Sequence, residues 1–325
     1  MQADSLAALE AVPTRRPAER WFERFGAALL AYLLFVILFG AWVRITGSGA
    51  GCGDHWPTCG GELVPRSPSL ETRIEYTHRI TSGLVGLMAL ALPVWALRLF
   101  PRRHPARRYA LATFILVVVE AGIGAGLVLK QLVADDASGA RAVAVALHLT
   151  NTLLLTGAAA LTVAFARAER WSASVSRAAP GSPSAGWLAA LLGGLVMVSA
   201  SGAVTALGDT LFPVHAQGGA APPDHFLVQL RVLHPLLACF MVCASVLFAL
   251  RSLREPRCRP WALAFGVLSA SQVVFGALNI ALRAPGWLQL AHLLGAQLTW
   301  ISAVLLVHAW RHPSADEAVR VGLTR

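Results

Sequence analysis

Eight stretches of this 325-residue chain are each long and apolar enough to cross a lipid bilayer: 25–43, 80–97, 109–129, 142–166, 187–207, 232–250, 260–282 and 287–310. A helix needs about 20 largely apolar residues to span the hydrocarbon core, where an unpaired backbone amide is too costly for any open structure. Glu120 is the only Asp, Glu, Lys or Arg in the eight stretches. The fold class predicted is therefore all-α, a polytopic membrane protein with eight transmembrane helices. Only 14% of the residues are charged, against about a quarter in a soluble domain, so a soluble enzyme, a disordered chain and a fibrous repeat are excluded. Residues 1–24 hold no apolar run ahead of a small-residue cleavage site, so the first span is expected to be permanent.

The basic residues set the orientation. With the N-terminus inside, the cytoplasmic segments carry 19 of the 27 Lys and Arg and the outer segments carry 8, the bias expected of loops retained on the inner side. Both termini are thus expected in the cytoplasm. The net charge of +10 is accounted for by this topology and by anionic lipid headgroups, and no nucleic-acid partner is expected.

The chain divides into two similar halves. A cytoplasmic tail (1–24) precedes a first four-helix half (25–166) with a long outer loop (44–79). A linker rich in Ala, Ser, Pro and Gly (167–186) leads to the second half (187–310), followed by a tail (311–325). Each even-numbered span has a histidine near its outer end: His78, His148, His234 and His292. Ser67-Pro68 and Pro223-Asp224 read as helix starts, which puts His78 and His234 at equal depth. Glu120 with Gly124 in the third span mirrors Gln272 with Gly276 in the seventh. Two tandem four-helix bundles in parallel orientation are expected.

One histidine in a membrane helix is explained by packing; four at one depth, two per repeat, point to a site, because ionisable groups in lipid are costly and line functional pathways. Facing imidazoles in a helical bundle suit a metal. No Cys, Asp or Glu aligns in both halves to complete a tetrahedral zinc site, whereas haem supplies four equatorial nitrogens and needs only axial ligands. Two haem sites toward the outer face are the expectation. Glu75 and Arg231 occupy the same place in the two halves, three residues before a histidine. Residues three apart share a helix face, so Glu75 is read as a proton acceptor at a reacting edge and Arg231 as a partner for a haem propionate. The competing reading of Glu75 is an ion pair with Arg79. Cys52 and Cys59, on the side where oxidation persists, are expected to form a short disulfide loop, structural or redox-active. Cys239, Cys243 and Cys258 read as packing residues or an inner-side thiol. His55, His215, His225, His104, His308 and His312 read as solvated or interfacial.

The run Arg44-Ile45-Thr46-Gly47-Ser48-Gly49, the Cys52 to Cys59 pair and Glu75-Tyr76-Thr77-His78-Arg79 together resemble the haem A synthases of aerobic membranes, over residues 25–310. The resemblance implies an oxidoreductase that converts the C8 methyl of haem O to the formyl group of haem A by two successive hydroxylations with water as oxygen source, for cytochrome oxidase. It implies that His78 and His148 are axial ligands of the substrate haem and that His234 and His292 hold a haem b cofactor. It further implies that Glu75 is the essential carboxylate and that Cys52 and Cys59 are the outer-loop pair. Haem O synthase (protohaem farnesyltransferase) and the cytochrome oxidase assembly pathway would be partners. The sequence does not identify the electron acceptor, and self-association is left open. A bacterial-type plasma membrane is the expected location. Two departures stand out: loop 208–231 lacks the second cysteine pair of some relatives, and Glu120, with Gln272 as its mate, leaves packing or proton movement open. The alternative reading is a non-catalytic di-haem b-type cytochrome; a transporter is disfavoured because such sites lie at mid-membrane on broken helices.

Overall fold

A computed structural model describes residues 16–167, 183–213 and 224–312. Among these residues there are eight membrane-length helices and no strand: α1 (Pro17–Ile45), α2 (Leu70–Leu99), α3 (Pro105–Leu129), α4 (Gly139–Arg167), α5 (Ala185–Leu211), α6 (Phe226–Ser252), α7 (Arg259–Ala281) and α8 (Gly286–Arg311). The all-α, eight-span expectation is met. At 1.5 Å per residue all eight are long enough to cross a bilayer.

The helices outrun the apolar stretches because their polar ends are capped rather than broken. Pro17 and Pro105 open α1 and α3, positions where a missing N–H removes no helical bond. Ser69 accepts from the Thr72 amide (3.2 Å) and Ser184 from the Trp187 amide (3.2 Å), the usual role of a Ser N-cap. Helix α2 therefore begins just after Ser69 and not at the Ser67-Pro68 pair, and His78 lies within regular helix. Two of the histidines read as solvated or interfacial serve as caps: His104 Nδ1 accepts from Ala106 N (3.2 Å) and His225 Nδ1 from Leu227 N (3.3 Å). Helix α6 opens with a turn over Phe226–Gln229 and tightens through Leu230–Val232 before running straight from Leu233. Pro235 explains the irregularity, since it has no N–H for the carbonyl four residues back.

Within each half the helices form a closed ring of neighbours, α1–α2–α3–α4 and α5–α6–α7–α8. The first ring packs around Phe22, Leu29, Leu92, Val117 and Phe165. The second packs around Leu188, Phe248, Phe265 and Leu306. The halves meet through α4 and α8, with α1 against α8 and α4 against α5. These two helices are the most enclosed, with 67% and 56% of the span buried against 28% or less for the other six. Leu153, Ala160, Trp300, Ile301 and Val304 form the seam. The Trp300 indole donates to Leu153 O (2.6 Å), and Gly157 makes room, since a Cβ there would stand 3.1 Å from Trp300 Nε1. Outward faces carry Leu87, Leu90, Val118, Leu247, Val267 and Val274, all exposed. So much bare apolar surface is intelligible only against lipid. Residues 168–182 of the linker 167–186 lie outside the described residues, as does His215.

Candidate haem-binding sites

The second half shows most fully how the predicted histidines are placed. His234 (α6) and His292 (α8) face each other with ring centroids 6.3 Å apart and planes at 82°. An imidazole nitrogen holds a metal ion at about 2 Å, so rings at this spacing leave room for one ion between them. This pair would therefore suit a haem iron, which needs only axial ligands from the protein. His234 Nδ1 lies 3.1 Å from Val198 O and 3.2 Å from Ser201 Oγ, so its Nδ1–H is satisfied by α5 and Nε2 is left for a ligand. The ring lies against Gly202, where a Cβ would approach Cε1 to 2.9 Å. His292 Nδ1 is buried and has no hydrogen-bond partner among the described residues.

The first half repeats this plan on α1 and α2. The His78 ring lies over Gly40, where a Cβ would come within 3.1 Å of Cε1 and 3.2 Å of Nε2, and takes the edge of Phe39 at 5.6 Å. His148 on α4 faces α3, with Gly124 opposite its Cε1. In the second half Gly276 faces His292 Cε1 in the same way. Each site thus has two half-buried imidazoles on alternate helices and a glycine opposite each, a donor set suited to haem. Gly40 was not singled out from the sequence; its signal is a glycine in the outer third of the first span, matched by Gly202 in the fifth.

Above the first site the outer loop is bound tightly to α2. Cys52 and Cys59 form a disulfide. Gly51 packs on the Glu71 backbone so closely that a Cβ would lie 2.5 Å from its carbonyl carbon, and Thr72 Oγ1 donates to Gly51 O (2.7 Å). Glu75, only 3% exposed, accepts from the Cys52 amide at Oε2 (2.8 Å) and from Arg79 Nε (3.1 Å) and Nη2 at Oε1. Arg79 Nη1 in turn donates to His55 O (2.7 Å) and Thr58 O (2.6 Å). The Arg79 ion pair, held from sequence as the competing reading of Glu75, is the arrangement present. Both carboxylate oxygens are engaged, so Glu75 stands as a fixed negative charge under the loop.

Arg231 has a similar task in the second half. Its Nε is 2.9 Å from Asp209 Oδ1, and Nη2 donates to Gly208 O (2.9 Å) and Phe212 O (2.7 Å). The guanidinium clamps the end of α5 as Arg79 clamps the first loop. The Glu75/Arg231 contrast in sequence thus conceals one device used twice, an arginine–carboxylate pair gripping backbone carbonyls, of the loop in the first half and of the α5 end in the second. Arg44, which opens the outer-loop motif, has contacts that the sequence did not reveal. From α1 it donates to Ala206 O (2.7 Å) and Thr210 Oγ1 on α5 and to Gln289 Oε1 (3.0 Å) on α8. It ties the two halves together at the ends where the histidines lie.

The other polar residues sort simply. His55 is exposed beside Asp54 (3.1 Å). His308 and His312 pack edge-on against Phe165 at 4.5 and 5.1 Å, so His308 belongs to the packing and not to solvent. Cys258 is buried, whereas Cys239 and Cys243 are exposed.

Residues 23–304 match the family model described as cytochrome oxidase assembly protein, COX15-CtaA. Two proteins of Thermus thermophilus, one from each of two strains and each named protoheme IX farnesyltransferase, are 45% identical over 304 residues, covering 90% of this chain and 49% of theirs. The chain spans about half the length of these curated relatives. The heme A synthase of Symbiobacterium thermophilum is 34% identical over 264 residues, 76% of this chain and 82% of that protein. That of Exiguobacterium sibiricum is 43% identical over 107 residues, 33% of this chain and 36% of its own length. The chain belongs to the COX15-CtaA family of cytochrome oxidase assembly proteins.

Proposed function

We propose that this protein is a haem A synthase, which oxidises the C8 methyl of haem O to a formyl group for cytochrome oxidase. The observation that carries the reading is the duplicated imidazole pair with a disulfide-closed loop braced over the first pair. A relative named heme A synthase that matches three quarters of the chain supports it. So do relatives named protoheme IX farnesyltransferase, in which a similar segment fills half the polypeptide. The site would sit toward the outer face of a bacterial-type plasma membrane, with both termini in the cytoplasm, as the distribution of Lys and Arg favours.

In this reading His78 and His148 hold the substrate, haem O, by its iron, and Gly40 leaves room for the His78 ring. The substrate methyl gains oxygen from water in two stages: methyl plus water gives the alcohol, two protons and two electrons. The alcohol plus water gives the geminal diol, with two more of each, and the diol loses water to leave the aldehyde. An external acceptor must therefore take four electrons for each haem A formed. A haem b held by His234 and His292 would supply one-electron chemistry between substrate and acceptor. Glu75 contributes a fixed negative charge beside the first site, suited to a substrate carbon that becomes electron-poor as it is oxidised. The Arg79 clamp and the disulfide keep the loop closed so that water reaches the site by a limited route.

Co-expression with a haem O synthase, followed by haem extraction and mass analysis, tests this. The expected product differs from haem O by one oxygen gained and two hydrogens lost. Glu75→Gln should abolish conversion and leave haem bound, while unchanged haem A yield in that variant removes Glu75 from the mechanism. Haem O returned unaltered by the wild-type protein, with both sites loaded, would instead identify a di-haem electron carrier.

A further inference from the structure

We infer that Glu120 is a positioning residue for the first site, orienting His148 through its Nδ1 and giving that imidazole a carboxylate neighbour that the second site lacks. The inference rests on the proposal that His148 ligates a haem. Glu120 is the single charged residue of the eight apolar stretches, and a carboxylate at such a place is retained only where it has work to do.

Its surroundings fix it from two directions. Asn151 Nδ2 donates to Glu120 Oε2 (2.5 Å) and also to Leu116 O (2.9 Å), so both amide hydrogens are used and the amide has one orientation. Thr152 Oγ1 bonds to Glu120 Oε1. The same oxygen stands 3.3 Å from His148 Nδ1. The imidazole N–H lies off the straight line to it, and Nδ1 is otherwise without a hydrogen-bond partner among the described residues. The carboxylate is held by Asn151 and Thr152, and the one oxygen within reach of His148 Nδ1 is its Oε1. Packing of α3 on α4 would be served by Asn151 and Thr152 alone; it gives no reason for a carboxylate oxygen to face the imidazole.

The second half is built differently at this point. Gln272, the mate of Glu120, has its Nε2 against Gly295 and unpaired, and His292 Nδ1 has no partner among the described residues. The anchored ring there is His234, held by a neutral carbonyl and a hydroxyl. A carboxylate acceptor raises the basicity of a ligating imidazole and orients it, which favours the ferric iron. The two sites should therefore differ in reduction potential, the first being lower.

The test is an anaerobic redox titration of the full chain, purified and reconstituted with protohaem, for wild type and Glu120→Gln. The expected result is two redox waves in the wild type. In E120Q the lower wave moves upward, the other stays, and protohaem affinity at the altered site falls about 10- to 100-fold. Unmoved waves with unchanged affinity would reduce Glu120 to a packing group. If E120Q fails to accumulate, Glu120→Asp keeps the charge one methylene further back. It should then give an intermediate upward shift, and an unmoved wave would again overturn the inference. His148→Ala separates the two levels of argument. If both wild-type waves survive in that variant, His148 is not a ligand and the underlying reading fails, whatever Glu120 does.

Discussion

Replacing Gly202 by Ala tests the second site at its tightest contact. The added Cβ would lie 2.9 Å from His234 Cε1 and 3.2 Å from Nδ1, whereas carbon atoms rest at about 3.5–4.0 Å. The ring must retreat by about 0.5–1 Å, and it is already pinned at Nδ1 by Val198 O and Ser201. Forcing it off its rotamer costs about 0.5–1.5 kcal/mol, equivalent to a roughly 2- to 10-fold loss of haem affinity at that site. The helix itself should not suffer, since Ala is a better helix former than Gly. Gly276→Ala supplies the control, because its Cβ would meet His292 Cε1 at an ordinary 4.0 Å. Haem titration of both variants followed by absorbance, with melting in detergent as the check on folding, gives the comparison. Equal haem affinity in G202A and G276A would refute the placement of the His234 ring.

Cys52 and Cys59 close a loop with a sequence separation of 7, for which chain entropy alone gives about 2–3 kcal/mol. The Cys52→Ser/Cys59→Ser double variant should accordingly be cut sooner in the 52–66 segment under limited proteolysis. Arg44→Leu removes hydrogen bonds to Ala206, Thr210 and Gln289 that join the halves. It should destabilise the folded chain by about 1–3 kcal/mol, read as a lower midpoint in detergent melting, and an unchanged midpoint would show that the halves need no such tie. His104 caps α3 as an acceptor and stacks on Phe100 at 4.5 Å; burial lowers its pKa from the usual 6.5. The unfolded chain therefore binds this proton first, so stability is full above about pH 6.5 and declines as pH falls through that value. His104→Asn keeps a cap and should flatten that part of the profile in melts at about pH 7.5 and 5.5.

The membrane fold was legible because hydropathy is a property of consecutive residues, and one Glu among eight apolar stretches leaves little ambiguity. The four histidines were legible as exceptions to that pattern, recurring once per helix pair. Helix ends were less so, as Ser69 shows: a capped polar turn continues a helix past the point where its apolar run stops. The partners of Glu75 and Arg231 could not be read from helix periodicity alone because they lie elsewhere, Cys52 in the loop before α2 and Asp209 on α5. The contacts of Arg44 were hidden for the same reason, lying 162 to 245 residues away. Glu120 was visible as an oddity, but only the fold supplies Asn151, Thr152 and His148 around it.

The haem-to-protein ratio of the loaded protein, measured beside His78→Ala/His148→Ala and His234→Ala/His292→Ala, reaches the core of this account most directly. Two haems per chain are expected, with each double variant keeping one and retaining the spectrum of the intact site. A single haem in the wild type, or a double variant that still binds two, would contradict it.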